Sequence, residues 1–150
     1  MGVDAFRASL RRHQRIAIDT SIFIYQLEAN PRYIAYSDAL FLWLEGRGCS
    51  GVTSTITMTE LLVQPYRDRD NDLADQFYAL LSTYPHLEWV APSLEIADLA
   101  ARLRAVHRFR TPDAIQAATA IQSHATALIT NDAVFKRIDA FETVVLDETR

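Results

Sequence analysis

Four acids in this 150-residue chain stand at the ends of short apolar or hydroxyl-rich runs, where a carboxylate can do chemistry: Asp19, Glu60, Asp113 and Asp132. Asp19 follows Ile16-Ala17-Ile18 and precedes Thr20 and Ser21. Asp132 follows Ile129-Thr130-Asn131, Glu60 follows Thr57-Met58-Thr59, and Asp113 follows Thr111-Pro112. Carboxylates gathered within a few ångströms repel and raise one another's pKa unless a cation offsets them. An all-oxygen donor set suits a hard divalent ion, with magnesium expected and manganese as its substitute. Each acid also has a local alternative, because carboxylates near helix starts satisfy free N–H groups and favour the macrodipole. At all four places, however, another side chain is available as the cap: Thr20 or Ser21, Thr57, Thr111 and Asn131. The acids therefore exceed what local structure requires.

Other chemistries find no footing. There is no glycine-rich phosphate loop and no nucleophile elbow for a serine triad. Asp19-Thr20-Ser21 lacks the second acid, two residues on, of haloacid-dehalogenase-type phosphatases. The single cysteine, Cys49, excludes an internal disulfide and a cysteine-based zinc cluster. His13, His86, His107 and His124 show no zinc spacing and are expected at or near the surface. A net charge of −4 argues against binding nucleic acid through bulk positive charge. Local arginines can still serve. Arg104, Arg108 and Arg110, just before Asp113, are candidates to grip a nucleic-acid backbone, the alternative being a solvated helix end.

The elements that must position these residues follow from periodicity. Strands are predicted over 16–18, 49–52, 87–90, 127–130 and 143–146. Helices are predicted over 3–12, 20–28, 33–44, 73–84, from Pro92-Ser93 onward, from Thr111 to about His124, and briefly over 132–138. A further helix carries Leu61-Leu62-Val63, with Thr57 to Glu60 fitting a capping box before it. Ala114, Ala117 and Ala118 allow their helix to approach a sheet closely. Strands alternating with helices indicate one α/β domain with a mainly parallel sheet, 1–14 forming a helical extension and 15–147 the core. In such a sheet, segments just after strands emerge at one edge, which brings together Asp19, Glu60 and Asp132. Asp113 follows a helix and must be delivered by folding back.

Ala39-Leu40-Phe41-Leu42-Trp43-Leu44 is apolar around the whole helix. It is either covered within the molecule or forms a homodimer or partner surface. With 49% hydrophobic and 23% charged residues the composition is that of a globular protein. No apolar run approaches the roughly 18–20 residues of a membrane span, and residues 1–14 carry no apolar signal core. A cytoplasmic location is expected.

Taken in order, Ile18-Asp19-Thr20-Ser21, Thr59-Glu60-Leu61, Thr111-Pro112-Asp113-Ala114 and Ile129-Thr130-Asn131-Asp132-Ala133-Val134-Phe135 resemble the PIN domain, and more narrowly its compact VapC-like toxin branch. The resemblance spans about residues 16–146. It implies a compact three-layer fold and a Mg2+-dependent endoribonuclease whose ligands are Asp19 and Asp113, with Glu60 and Asp132 completing the pocket. Products with 5′-phosphate and 3′-hydroxyl ends are implied, as is a VapB-like antitoxin. Thr20, Ser21, Thr130 and Asn131 would orient carboxylates or waters from behind. Two departures stand out: a longer helical segment before Ile16 and an acidic chain. An RNA-processing nuclease and a non-catalytic PIN-like interaction module are the alternatives.

Overall fold

The computed structural model describes residues 2–148. Helix α1 (Gly2–Leu10) leads into β1 (Arg15–Ile18), then α2 (Thr20–Leu27), α3 (Ile34–Leu44), β2 (Ser50–Ser54), α4 (Thr55–Arg67) and α5 (Asn71–Ser82). The chain continues through β3 (Leu87–Val90), α6 (Leu94–His107), α7 (Thr111–Gln122), β4 (Ala127–Thr130), a 3-10 helix (Ala133–Arg137), β5 (Glu142–Val145) and a closing 3-10 turn (Leu146–Glu148). All four strand pairings are parallel, in the order β3-β2-β1-β4-β5. The expected α/β fold, a parallel sheet with helices on both faces, is the fold found.

Alternation along the strands sorts side chains into two cores, as a sheet covered on both faces requires. Ile16, Ile18, Ala127 and Ile129 join Phe23, Leu40, Leu44 and Phe6 on one face. Ala17, Val52 and Leu128 join α6 and α7 on the other. There Ala114, Ala117 and Ala118 are wholly buried, so small side chains do bring α7 close to the strands. Gly51 serves the same purpose on the first face: a Cβ would lie 2.9 Å from Leu44 Cδ1.

The apolar helix α3 is mostly covered within the molecule. Ala39, Leu40, Phe41 and Leu44 are buried, and α1 lies over the helix with Phe6 edge-on to Tyr36 at 5.6 Å. Leu42 remains outside, 69% exposed.

Most boundaries shift by one or two residues, and the shifts around β2 and α4 bear on the site. Strand β2 runs to Ser54 because Thr53 and Ser54 pair with Trp89 and Val90, and Thr53 Oγ1 donates to Ile18 O at 2.9 Å. Helix α4 consequently starts at Thr55 and is capped by Ser54, whose Oγ accepts from Ile56 N. No capping box forms from Thr57. The last strand begins one residue early, at Glu142. No helix among the described residues is long and apolar enough to cross a membrane.

Candidate active site

The strand order reverses direction at β1, with β2 and β3 on one side and β4 and β5 on the other. Ligands of open α/β sheets bind outside the carboxyl ends of strands at such a point. Asp19 stands there, one residue beyond β1, with Thr130 ending the neighbouring β4. Asp19 Oδ1 accepts from Thr20 N at 2.9 Å, and Oδ2 accepts from Thr130 Oγ1 at 2.7 Å. Ser21 Oγ lies 3.5 Å from Oδ2, at the limit of a hydrogen bond. Each carboxylate oxygen keeps a lone pair for something else.

Burial raises the Asp19 pKa to about 6, partly countered by the bonds from Thr130 and Thr20, with Asp113 and Glu60 pushing it up further. Two acids from separate stretches of chain thus act on Asp19 at one sheet edge. Asp113 comes into range because α6 and α7 pack side by side and Arg108, at φ 59° and ψ 37°, turns the chain between them. Among the described residues Arg110 is the one cation within ion-pair distance of the four acids, its Nε 3.4 Å from Asp113 Oδ2.

Glu60 is surface-exposed, and its Oε1 accepts from Thr20 Oγ1 at 3.0 Å. Because α4 begins at Thr55, Glu60 lies in the second turn, beyond the free N–H groups, so capping does not account for it. Asp132 is different. It is exposed, and its Oδ1 accepts from Val134 N at 2.9 Å as the cap of the 3-10 helix. Its own N–H donates to Thr130 Oγ1 at 3.0 Å, so backbone rather than carboxylate links it to Asp19. Asp132 sits at the rim.

The expectation that neighbouring residues do the capping is corrected here. Asp19 itself caps α2 and Asp132 caps its own turn. The α7 cap position belongs to Arg110, without a side-chain bond, while Thr111 is already helical. Capping by Asp19 leaves room for a site role, since one carboxylate has lone pairs for both. Among the described residues no three His, Cys, Asp or Glu side chains converge into a ready-made metal cage. The donor chemistry nonetheless fits magnesium, which keeps several of its waters and takes only one or two carboxylates.

The supporting residues separate as well. Thr20 and Thr130 touch the acids directly. Asn131 turns away: its Nδ2 donates to Tyr25 OH at 3.1 Å and its Oδ1 accepts from Asp147 N at 3.0 Å. Burial raises the Tyr25 pKa, and the bond from Asn131 counters this. Arg104, Arg108 and Arg110 are all exposed; Arg104 Nε donates to Phe109 O at 3.0 Å, bracing the turn before α7.

One residue beneath the pocket escaped the sequence reading. Gln116 is 3% exposed and lies one turn beyond Asp113 on α7. Its Nε2 is 2.6 Å from Thr57 Oγ1 and 3.3 Å from Thr20 Oγ1. The available signal was an amide three residues after Asp113 in a helix otherwise lined by alanine and isoleucine.

Comparison with known proteins agrees with this geometry. The family model for the PIN domain matches residues 16–141. No curated protein matches. Among solved structures, a toxin-antitoxin complex from Klebsiella pneumoniae contains a chain 26% identical, at TM-score 0.66, covering 87% of this chain and 97% of that one. VapBC2 from Rickettsia felis, bound to a DNA fragment from its promoter, matches at 21% identity and TM-score 0.65, covering 87% of this chain and 98% of that one. DNA-bound VapBC from Salmonella typhimurium matches at 19% identity and TM-score 0.64, covering 88% and 98%. With most of its length matched by the family model, the chain belongs to the PIN-domain family.

Proposed function

We propose that the protein is a Mg2+-dependent endoribonuclease of the VapC-like kind, the toxin of a toxin-antitoxin pair. The observation that carries this is the buried Asp19 carboxylate at the switch point of the sheet, held by Thr130 and Thr20 N–H, with Asp113 and Glu60 close enough to act on it and Arg110 paired to Asp113. Asp19 and Asp113 would hold the ion, with Glu60 and the rim residue Asp132 completing the pocket directly or through water. Manganese would substitute. Bound there, the ion supplies positive charge for the scissile phosphate and lowers the pKa of an attacking water.

The chain's own residues set the stage for that chemistry. Thr130 and the Thr20 N–H fix the Asp19 carboxylate, so that its free lone pairs face the pocket. Proton loss from Asp19 must accompany ion binding, so affinity weakens as pH falls below about 6. Arg110 and Arg108, exposed beside Asp113, are placed to meet the RNA backbone.

The test is cleavage of a labelled RNA with magnesium or manganese. Chelator or Asp19→Ala should abolish it, and cleavage surviving either overturns the site. Growth arrest on expression, lost with Asp19→Ala, supports the toxin role; active enzyme without arrest favours an RNA-processing nuclease. The second reading is a non-catalytic module, and the capping bonds of Asp19 and Asp132 are the observation that favours it. Calorimetry decides it, since that module takes up no manganese at millimolar concentration.

The partner reading rests on the solved VapBC complexes and on an apolar cleft of about 320 Å³ between α2, α4 and α5. Ile24, Leu27, Leu61 and Phe77 line it, and Glu60 stands at its margin. An apolar helix of an antitoxin seated there would reach the acidic pocket. A homodimer through the exposed Leu42 side of α3 belongs to the same proposal, and a strictly monomeric protein in light scattering overturns it.

A further inference from the structure

Beneath the acids lies a buried network of four uncharged polar side chains. Thr20, Thr53, Thr57 and Gln116 are each at most 5% exposed, and they come from α2, β2, α4 and α7. Their protons can be assigned by counting. Ser54 N, a donor only, faces Gln116 Oε1 at 3.5 Å, which points the amide Nε2 at the hydroxyls. Thr53 gives its single proton to Ile18 O at 2.9 Å. Its 2.8 Å contact with Thr57 therefore requires Thr57 to donate. Thr57, its proton spent, accepts from Gln116 Nε2 at 2.6 Å. The second amide proton goes to Thr20 Oγ1 at 3.3 Å.

That leaves the one proton of Thr20 with two competitors. Glu60 Oε1 is 3.0 Å away and Thr57 Oγ1 is 3.1 Å away. Gln116 fills one acceptor site of Thr57 and, by donating to Thr20 Oγ1, occupies a lone pair of that hydroxyl, which turns the Thr20 proton away from the amide and toward the charged Glu60 oxygen. The Thr20 hydroxyl is also the side-chain donor that fixes this long, exposed carboxylate. We propose that Gln116 is a positioning residue: by donating to both Thr57 and Thr20 it biases the Thr20 proton toward Glu60 and so holds Glu60 toward Asp19 and Asp113. Its value for ion binding rests on the function proposed above. The placement of Glu60 itself does not.

The experiment uses the full chain as wild type, Gln116→Met, Thr57→Val and their combination. Methionine keeps the length of glutamine but donates nothing, and valine is close to isosteric with threonine. Manganese affinity is measured by calorimetry, and the Glu60 carboxyl carbon shift by NMR on the metal-free protein at pH 7. Melting curves confirm that each variant is folded. Gln116→Met should move the Glu60 shift and weaken manganese binding by about 10- to 100-fold, the usual effect of losing a ligand's supporting bond. Adding Thr57→Val removes the competing acceptor, so the double variant should recover both readouts toward wild type. A merely structural role would instead give losses that add. Additive losses, or a Glu60 shift indifferent to Gln116→Met, overturn the proposal. A shift that moves and recovers in a protein that binds no manganese upholds the positioning role and overturns the metal site instead.

Discussion

The two edges of the sheet treat their charges in opposite ways. At the N-terminal edge two acids have basic partners: Arg15 donates to Glu88 at 2.6 Å, and Glu142 is met by both Arg12 and His13. Arg15 also donates to Ser123 O at 2.7 Å, tying β1 to the end of α7. At the C-terminal edge Arg110 reaches Asp113 alone, by a 3.4 Å contact that is long and exposed, and among the described residues Asp19, Glu60 and Asp132 have no ion-pair partner. The first edge is clamped closed by these ion pairs. At the second, burial raises the Asp19 pKa to about 6, with Asp113 and Glu60 adding to it. A buried carboxylate pushed up further by two neighbouring acids is the kind of group that marks a candidate site.

Substitution can break this contrast, and the largest effect should fall on activity at the open edge. On the proposed function, Asp113→Asn is expected to cut RNA cleavage by at least about 1,000-fold in single-turnover assays, because a ligand proposed for the ion and its charge would be lost together. Glu142→Gln, at the closed edge, should leave the rate within about twofold. Equal losses from both would mean that the edges do not differ in function.

Next comes stability. The folded pKa of Asp19, about 6, lies above its ordinary 3.8, so the folded state holds an extra proton between these values. Stability of the metal-free protein therefore falls as pH rises from about 4 to about 6, and stays low above that. Asp19→Asn keeps a good cap but no charge, and should stabilise the metal-free protein by roughly 3 kcal/mol at pH 7 and by little at pH 4. Urea unfolding at the two pH values checks this. A loss of stability at pH 7 would contradict the strained carboxylate.

At the closed edge, Glu88→Gln removes an exposed ion pair and should cost at most about 1 kcal/mol, less in high salt. A larger loss in the same unfolding experiment would mean that this edge is not merely clamped at its surface. The smallest effect is expected from Arg110→Ala. It should raise KM for RNA a few-fold with kcat nearly unchanged, and the difference should shrink as salt is added. A fall in kcat alone would place Arg110 in the chemistry rather than on the backbone.

Much of the fold was legible. All five strands lie within two residues of their predicted ends, since apolar runs bounded by breakers leave few alternatives. The misreadings share one cause. Thr53 and Ser54 read as a loop because hydroxyls favour turns, yet they finish β2 by pairing with β3. Thr57 then lost the capping role given to it and became a buried member of a polar network. Side chains that satisfy a distant partner look, along the chain, the same as side chains that satisfy their own backbone.

The sequence by itself determined the alternation of strands and helices, and with it that Asp19, Glu60 and Asp132 would come off one end of the sheet. Parallel pairing makes this unavoidable. The tertiary structure alone decided three further things. It brought Asp113 within range through the packing of α6 on α7, set Asp132 at the rim as the cap of its own turn, and placed Gln116 under the pocket. Spacing along a strand or helix fixes the face and the edge a residue occupies. Which residues from different elements share a proton or a charge depends on distances of about 3 Å, and those exist only once the layers are packed.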